Sequence, residues 1–174
     1  MLMTTISSSA QNKDTLKIDA SNLILKNLRY GKATYLVYHT IGKDKPMQNA
    51  TLVKITTQKE QFEGKDYITI KQIWEADTIV HNAYTRFQSD KMKTVEHTSW
   101  WKRKGYTEHF NFLEPKITFE GNIKEELKSN TTTSFNSAIS SDFLNWHSDL
   151  VIFPLLPYKK NRVFKINFYE PGIA

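Results

Sequence analysis

Apolar and polar side chains alternate with a period of two along most of the chain, as they do in β-strands that are buried on one face. In KATYLVYHTI, for example, Ala33, Tyr35 and Val37 fall on one face, while Leu36 and Tyr38 fall on the other. The alternation recurs up to residue 123 and once more near the end of the sequence. It predicts strands at residues 32–41, 51–62, 66–74, 78–87, 91–101, 106–112, 117–123 and 162–170.

Short polar connections join the first seven of these segments. Gly42 and Pro46 mark the first turn, and Glu63–Lys65 forms a tight second link. Links of this length suit hairpins between antiparallel neighbours, whereas parallel strands need long crossovers. A sheet of many long strands also twists and tends to curl. The predicted fold class is therefore mainly β: a single curved antiparallel meander, or half-barrel, of about eight strands.

The hydrophobic period changes after residue 141. Apolar side chains then follow the spacing of one helical face, at Phe143, Trp146, His147, Leu150 and Val151. Ser141 or Asp142 can cap the start of a helix, and Pro154 limits its end. The spacing predicts one helix over residues 143–153, packed on the concave face of the sheet. The preceding Ser/Thr/Asn-rich segment, 124–141, is predicted to be a polar connection.

Neither a repeat nor a linker divides the 174 residues, so we expect one domain. Residues 1–27 are interpreted as an N-terminal extension and residues 28–174 as the β half-barrel domain. The segment SSSAQ resembles the end of a secretory signal cleaved after Ala10, but the apolar stretch of such a signal is missing. The extension is thus either the remnant of a signal peptide in a longer precursor or an unstructured polar start. No apolar run is long enough for a membrane-spanning helix.

Composition excludes several classes of chemistry. The absence of Cys excludes disulfides, thiolate zinc sites and cysteine nucleophiles. Lys and Arg outnumber Asp and Glu by 24 to 18, which gives a weak general attraction to anions. These cations are spread along the chain and not gathered on one segment, so no nucleic-acid partner is expected. Neither a Gly-rich phosphate loop nor a G-x-S-x-G or HExxH motif occurs, and we predict no catalytic residue, metal or cofactor.

The stretch HTSWWKRKGYTEHF, residues 97–110, has the form of a hairpin with Gly105 at a position of positive φ. Its basic tip is flanked by aromatic residues, so it could hold phosphate or stack bases. Exposed lysines also keep strand ends soluble, and we favour this structural interpretation. The alternative function is a basic binding module for an anionic surface or nucleic acid, formed by Lys102, Arg103, Lys104, Lys159, Lys160 and Arg162.

A third interpretation concerns two histidines of the same hairpin. His97 and His109 could share a metal ion if they are cross-strand neighbours, whose Cβ atoms lie about 5 Å apart. Glu96 and Glu108 would then orient the ligands of a metal-dependent hydrolase. We rank this hypothesis below the other two. His147, on the predicted helix face, is interpreted as a hydrogen-bonded core or rim residue.

The order of these features resembles an uncharacterised family of bacterial envelope proteins, known only as a domain of unknown function. The resemblance covers Leu28–Gly172 and lies in the stretches NLRYGKATYLVYHTIGK, IWEADTIVHNAYTRFQSDKMKTVEHTSWWKRKGYTEHFNF and LLPYKKNRVFKINFYEPG. That family is akin in shape to the half-barrel carriers of outer-membrane lipoproteins. The resemblance implies a curved sheet and export to the periplasm or cell envelope. Its further strands would follow Tyr169, so we expect the chain to be truncated at its C-terminus.

The predicted function is that of a non-catalytic envelope protein that shelters a lipid, an acyl chain or a lipoprotein segment in the half-barrel. The sheet is too rich in aromatic residues for a core on one side only, and apolar pockets carry few polar groups. The predicted ligand-binding residues are Tyr35, Val37, Ile70, Trp74, Tyr84, Phe110, Phe119, Phe143, Trp146 and Leu150. The oligomeric state is left open.

Overall fold

The computed structural model of the chain describes residues 14–172. The segment SSSAQ, which resembles the end of a secretory signal, lies outside these residues. After a first strand, β1 (Asp14–Ile18), seven strands form one antiparallel sheet in chain order. They are β2 (Gly31–His39), β3 (Gln48–Phe62), β4 (Lys65–Glu75), β5 (Ile79–Gln88), β6 (Thr94–Trp101), β7 (Thr107–Asn111) and β8 (Lys116–Glu120). The sheet is open, with β2 and β8 as its edges. The predicted antiparallel meander is confirmed.

The turn between β3 and β4 shows how local sequence fixes the pairing. Phe62 pairs with Lys65, which leaves only Glu63 and Gly64 in the loop. Both residues have positive φ, 49° and 72°, as in the hairpin turns whose twist matches that of the strands. Gly105 also has the predicted positive φ, 74°, in the β6–β7 hairpin. The registers of both hairpins therefore follow from their turns.

The hydrophobic core lies on one face of this sheet. Val53 and Ile55 of β3 belong to it, as does Phe87 of β5. Across from them, Ile152 and Leu155 come from the segment that follows residue 143. The other strand residues of the core alternate along their strands, as the period of two predicted.

The segment predicted as a polar connection is instead a helix, α1 (Glu125–Ala138), so that prediction was wrong. Ser, Thr and Asn are poor helix formers, and only Thr131 and Phe135 of this helix are buried. Local contacts stabilise it nevertheless. Glu125 lies in the first turn, where a negative charge favours the helix dipole, and its carboxylate accepts a hydrogen bond from Lys128 Nζ at 2.6 Å.

The helix predicted at 143–153 is mostly not α-helical. The chain forms a short strand, β9 (Leu144–Asn145), then a 3₁₀ turn at 146–148, one α-helical turn, α2 (Asp149–Ile152), and a second 3₁₀ turn at 153–155. The cause is local side-chain bonding. The side-chain oxygen Oδ1 of Asn145 accepts a hydrogen bond from the backbone N–H of His147 at 2.9 Å. The hydroxyl of Ser148 donates a hydrogen bond to the backbone carbonyl of Asn145 at 2.6 Å.

The last predicted strand does not extend the meander, so its placement in the single sheet was wrong. β10 (Arg162–Ile166) pairs in parallel with β1, and β11 (Phe168–Tyr169) pairs in parallel with β9. The Arg162 guanidinium bonds to the Asp14 carboxylate at 2.8 and 3.0 Å across the first of these pairs. Ile18 and Leu23, from the segment interpreted as an extension, are buried in the core.

Replacing Ile152 by Ala tests whether the α2 turn packs on the sheet. Ile152 is fully buried, and truncating it to Ala should lower the free energy of unfolding by about 2–5 kcal/mol. The matched control is Ile41→Ala, since Ile41 is 70% exposed and its truncation should change stability by less than about 0.5 kcal/mol. Urea unfolding followed by circular dichroism measures both. Equal effects of the two substitutions would contradict this packing.

Candidate functional site

A cavity with a volume of about 850 Å³ lies beside β2. We call it the β2 groove. One wall is the inner face of β2 and β3, the second is the segment before β2, and the third is α2 with the turn after it. It is lined by Lys26, Asn27, Leu28, Arg29, Tyr30, Gly31, Lys32, Ala33, Tyr35, Ile55, Thr57, Leu150, Val151 and Pro154.

Two local features build the walls of the β2 groove. Ile24 N donates to Leu155 O at 2.8 Å, which ties the segment before β2 to the turn after α2. Within β2, Ala33 pairs with Ile55, and alternate residues of both strands share the groove face. The strand and the helical turn therefore present apolar side chains to the same space.

The structure brings together two of the ten predicted ligand-binding residues in the β2 groove, namely Tyr35 and Leu150. Val37 lies further along the same face of β2 and is partly buried. Ile70 and Phe110 are 1% and 2% exposed, so their side chains fill the interior. Leu28, Tyr30 and the other lining residues were not predicted, because they precede the first predicted strand or have no distinctive pattern.

The remaining predicted residues lie elsewhere. Trp74 faces the interior, where its Nε1 donates to Gln72 Oε1 at 2.9 Å, and Phe119 lies on β8. Phe143 lines a separate cavity of about 320 Å³. Trp146 is 41% exposed. Tyr84 lies on the opposite face of the sheet, where its hydroxyl donates to Glu60 at 3.0 Å, and so does not share the face of Ile70.

A second unusual feature is a group of three buried histidines, which we call the histidine cluster: His81, His97 and His147. The ring centroids of His81 and His147 lie 4.9 Å apart, and those of His97 and His147 lie 4.6 Å apart. His81 also stacks on Trp101 at 3.7 Å. Period-two alternation places His81 and His97 on the core face. The interpretation of His147 as a core residue is confirmed, since it is 4% exposed.

Hydrogen bonding leaves each ring of the histidine cluster only partly satisfied. His81 Nδ1 donates to Trp100 O at 2.8 Å, and His97 Nδ1 lies 2.8 Å from Thr85 Oγ1. His81 Nε2, His97 Nε2 and His147 Nδ1 have no partner among residues 14–172. Burial lowers the pKa of His81 to about 4 and that of His97 to about 3, and it also lowers the pKa of His147. The cluster is therefore neutral at pH 7.

A buried ion pair lies on the same sheet face. The Glu108 carboxylate is 1% exposed and accepts a hydrogen bond from Lys104 Nζ at 2.9 Å. Lys104 Nζ also donates to the carbonyl of Gly172, close to the end of the described chain. Burial raises the pKa of Glu108, and the lysine opposes that shift. Lys104 thus points inward, contrary to the prediction that the cations of this tip are solvated.

Register separates the two histidines of the metal hypothesis. His97 pairs with Phe110 and Thr98 pairs with His109, so the imidazoles of His97 and His109 point to opposite faces. Glu108 shares the face of His97, whereas His109 Nε2 lies 3.1 Å from Glu120 on the other face. The shared ligand is contradicted. Within the described part of the chain, no group of three or more His, Cys, Asp or Glu side chains could hold a metal ion.

The proposed basic module is divided by internal contacts. Lys104 is engaged by Glu108, and Arg162 by Asp14. Lys159 lies 3.9 Å from the same Asp14 carboxylate. The Arg103 guanidinium lies over the Trp101 ring at 4.9 Å. Several of these cations therefore serve the fold of the chain itself.

Comparison with known proteins does not assign the chain. It matches no family model, no curated protein and no solved structure. The resemblance to an envelope family accordingly stays a prediction. Among residues 14–172, no helix combines the length and the apolar character needed to cross a membrane.

The histidine cluster predicts a stability that decreases in mild acid. The three side chains are neutral in the folded protein but take up protons in the unfolded chain near pH 6.5. Stability is therefore full above pH 6.5 and falls towards pH 4, by up to about 1.4 kcal/mol per pH unit for each histidine. The His97→Gln substitution should reduce the pH dependence of the free energy of unfolding by up to about 1.4 kcal/mol per pH unit, because one proton fewer is taken up on unfolding. Urea midpoints measured every half pH unit between 7 and 4.5 test it.

The comparison with a variant is needed because three carboxyls act in the opposite direction. Burial raises the pKa of Glu108, Asp149 and Glu170, so these groups favour the folded state as the pH falls. The difference between the wild-type and variant slopes cancels their contribution. His39→Gln, which replaces an exposed histidine of β2, is the matched control. Identical slopes for wild type and His97→Gln would rule out a buried neutral His97.

Proposed function

We propose that the protein is a non-catalytic cell-envelope protein that shelters one apolar chain, a lipid or an acyl group, in the β2 groove. The observation that carries the proposal is the groove itself, about 850 Å³ in volume. Its lining combines the apolar side chains of Ala33, Ile55, Leu150 and Val151 with polar and charged residues, mainly of the segment before β2. Small-molecule sites in proteins measure about 300–1,000 Å³ and are mostly apolar. The groove is thus large enough for a long hydrocarbon chain.

The position of the groove supports this function. It lies between the open sheet and the α2 segment. The wall at β2 is an edge of the open sheet, and Tyr30 and Tyr35 remain 46% and 36% exposed there. An apolar chain laid along this wall would remove both aromatic rings from water. Ligand entry at an edge strand requires no opening of the core.

The proposal involves no reaction at the bound chain. The residues lining the β2 groove include neither a member of the histidine cluster nor Glu108. Location in the periplasm or cell envelope is part of the proposal, and the resemblance to the envelope family supports it. Carriage of a lipid between membranes is a function that needs only reversible burial of its chain.

A large side chain placed in the β2 groove should weaken the binding of an apolar ligand. Ala33→Trp places a large side chain on the groove face of β2 and should weaken uptake of a fluorescent fatty acid at least tenfold. The matched control is Thr34→Trp, because Thr34 is also exposed but points to the other face of the same strand. Fluorescence titration of both variants provides the measurement. Equal loss in both variants, or no uptake by the wild type together with no lipid in native mass spectra, would count against the proposal.

Affinity should depend on chain length if the hydrocarbon is buried. Each buried CH₂ contributes about 0.8 kcal/mol, or about a fourfold change in Kd. Displacement of the fluorescent probe by saturated fatty acids of increasing length should therefore show a steady gain up to the length that fills the groove. Isothermal competition at one fixed salt concentration measures it. A Kd independent of chain length would mean that the hydrocarbon stays in water.

A further inference from the structure

The charges around the β2 groove are all of one sign. Lys26 and Arg29 belong to its lining, on the segment that leads into β2. Lys32 also borders the groove, but its phase in β2 is that of Thr34, so its side chain points to the other face of the strand. Lys59 Nζ lies 5.4 Å from the ring centre of Tyr30, which lines the groove directly before β2. Among the described residues that line the groove, there is neither Asp nor Glu.

The cations at the groove are not neutralised by carboxylates of the described chain itself, as is also true of the exposed lysines Lys43, Lys45 and Lys71. Within residues 14–172, none of Lys26, Arg29, Lys32 and Lys59 forms an ion pair with a carboxylate. On the opposite face of β3, by contrast, Lys54 Nζ contacts Glu75 at 2.6 Å. The groove therefore combines an apolar wall with a concentration of unpaired positive charge.

A ligand with one apolar and one anionic end satisfies both features. The positive charges of Lys26 and Arg29 border the same groove, so both attract an anion bound there. An arginine guanidinium and an ammonium group are suited to carboxylate and phosphate oxygens. A neutral head group would leave this positive charge without compensation.

We infer that the chain bound in the β2 groove carries an anionic head group, a carboxylate or a phosphate, which Lys26 and Arg29 hold. This inference rests on the proposed function and names the class of its ligand. The ligand is a single amphiphile, either a free fatty acid or the acyl chain of an acidic lipid. Its hydrocarbon lies against the wall formed by Ala33, Tyr35 and α2.

The head group can be tested with three ligands that share one C16 chain. Hexadecanoate, hexadecyl phosphate and hexadecanol each compete with a fluorescent fatty acid for binding to the full-length protein. Each ligand is used below the concentration at which it aggregates or separates from water. We expect the two anions to displace the probe at concentrations at least tenfold lower than hexadecanol does. Their order relative to each other distinguishes a free fatty acid, for which the carboxylate binds more tightly, from an acidic lipid, for which the phosphate does.

A double variant tests the residues. K26Q/R29Q removes two exposed charges, so the fold should be retained, and circular dichroism checks this. The preference for the two anions over hexadecanol should fall from tenfold or more to less than threefold. Binding of hexadecanol itself should be unchanged, because its hydrocarbon wall is intact.

The matched control removes the same net charge away from the groove. K43Q/K45Q replaces two exposed lysines in the β2–β3 turn. It should keep the full preference for anions. An equal loss of preference in both double variants would assign the effect to net charge, as for attraction to an anionic membrane surface, and would overturn the inference.

The two proposals fail in different ways. If hexadecanol binds the wild type as tightly as the two anions, the head-group inference is wrong while the β2 groove remains a site for apolar chains. If none of the three ligands displaces the probe, or the probe itself does not bind, both proposals are wrong.

Discussion

The fold depends on the packing of one short helical segment against one face of the open sheet. Ile152 and Leu155 reach Val53, Ile55 and the other apolar residues of the inner face. Without this contact the inner face would lie in water, since β-strands joined only by hairpins bury little by themselves. The same contact positions the segment before β2, through the hydrogen bond from Ile24 N to Leu155 O. The groove is the space left where this packing stops short of the edge strand.

Polar groups are buried along the same contact. Gln72 Nε2 donates to the carbonyl of His147, which joins the sheet to the helical segment by a hydrogen bond as well as by apolar packing. The cost is a set of histidines with unpaired ring nitrogens in the interior. Such groups are tolerated only as neutral species. The buried histidines therefore make the packing of the helical segment on the sheet sensitive to acid.

The interior and the groove divide the residues that the sequence suggests for one ligand site. Ile70 and Phe110 complete the core, whereas Tyr35 and Leu150 border the groove. Alternation identifies all strand residues of one face but not whether a given residue meets another element or open space. Tyr84 shows a further limit, because its phase in β5 is readable only after the register with β4 is known. The positive charge of the segment before β2 could not be identified as part of a site either, because the cations are spread evenly along the sequence.

The sequence by itself determined the antiparallel meander, because alternation and two-residue turns such as Glu63–Gly64 act between neighbours in the chain. It also determined that no cysteine or thiolate chemistry is available. Only the tertiary structure decided that β1 pairs with β10, 148 residues away at Asp14 and Arg162, and that three distant histidines meet. It also decided the helical form of 125–138 and the broken helix after Asn145. These features arise from contacts between residues remote in sequence, or from single side-chain bonds, and neither leaves a periodic pattern.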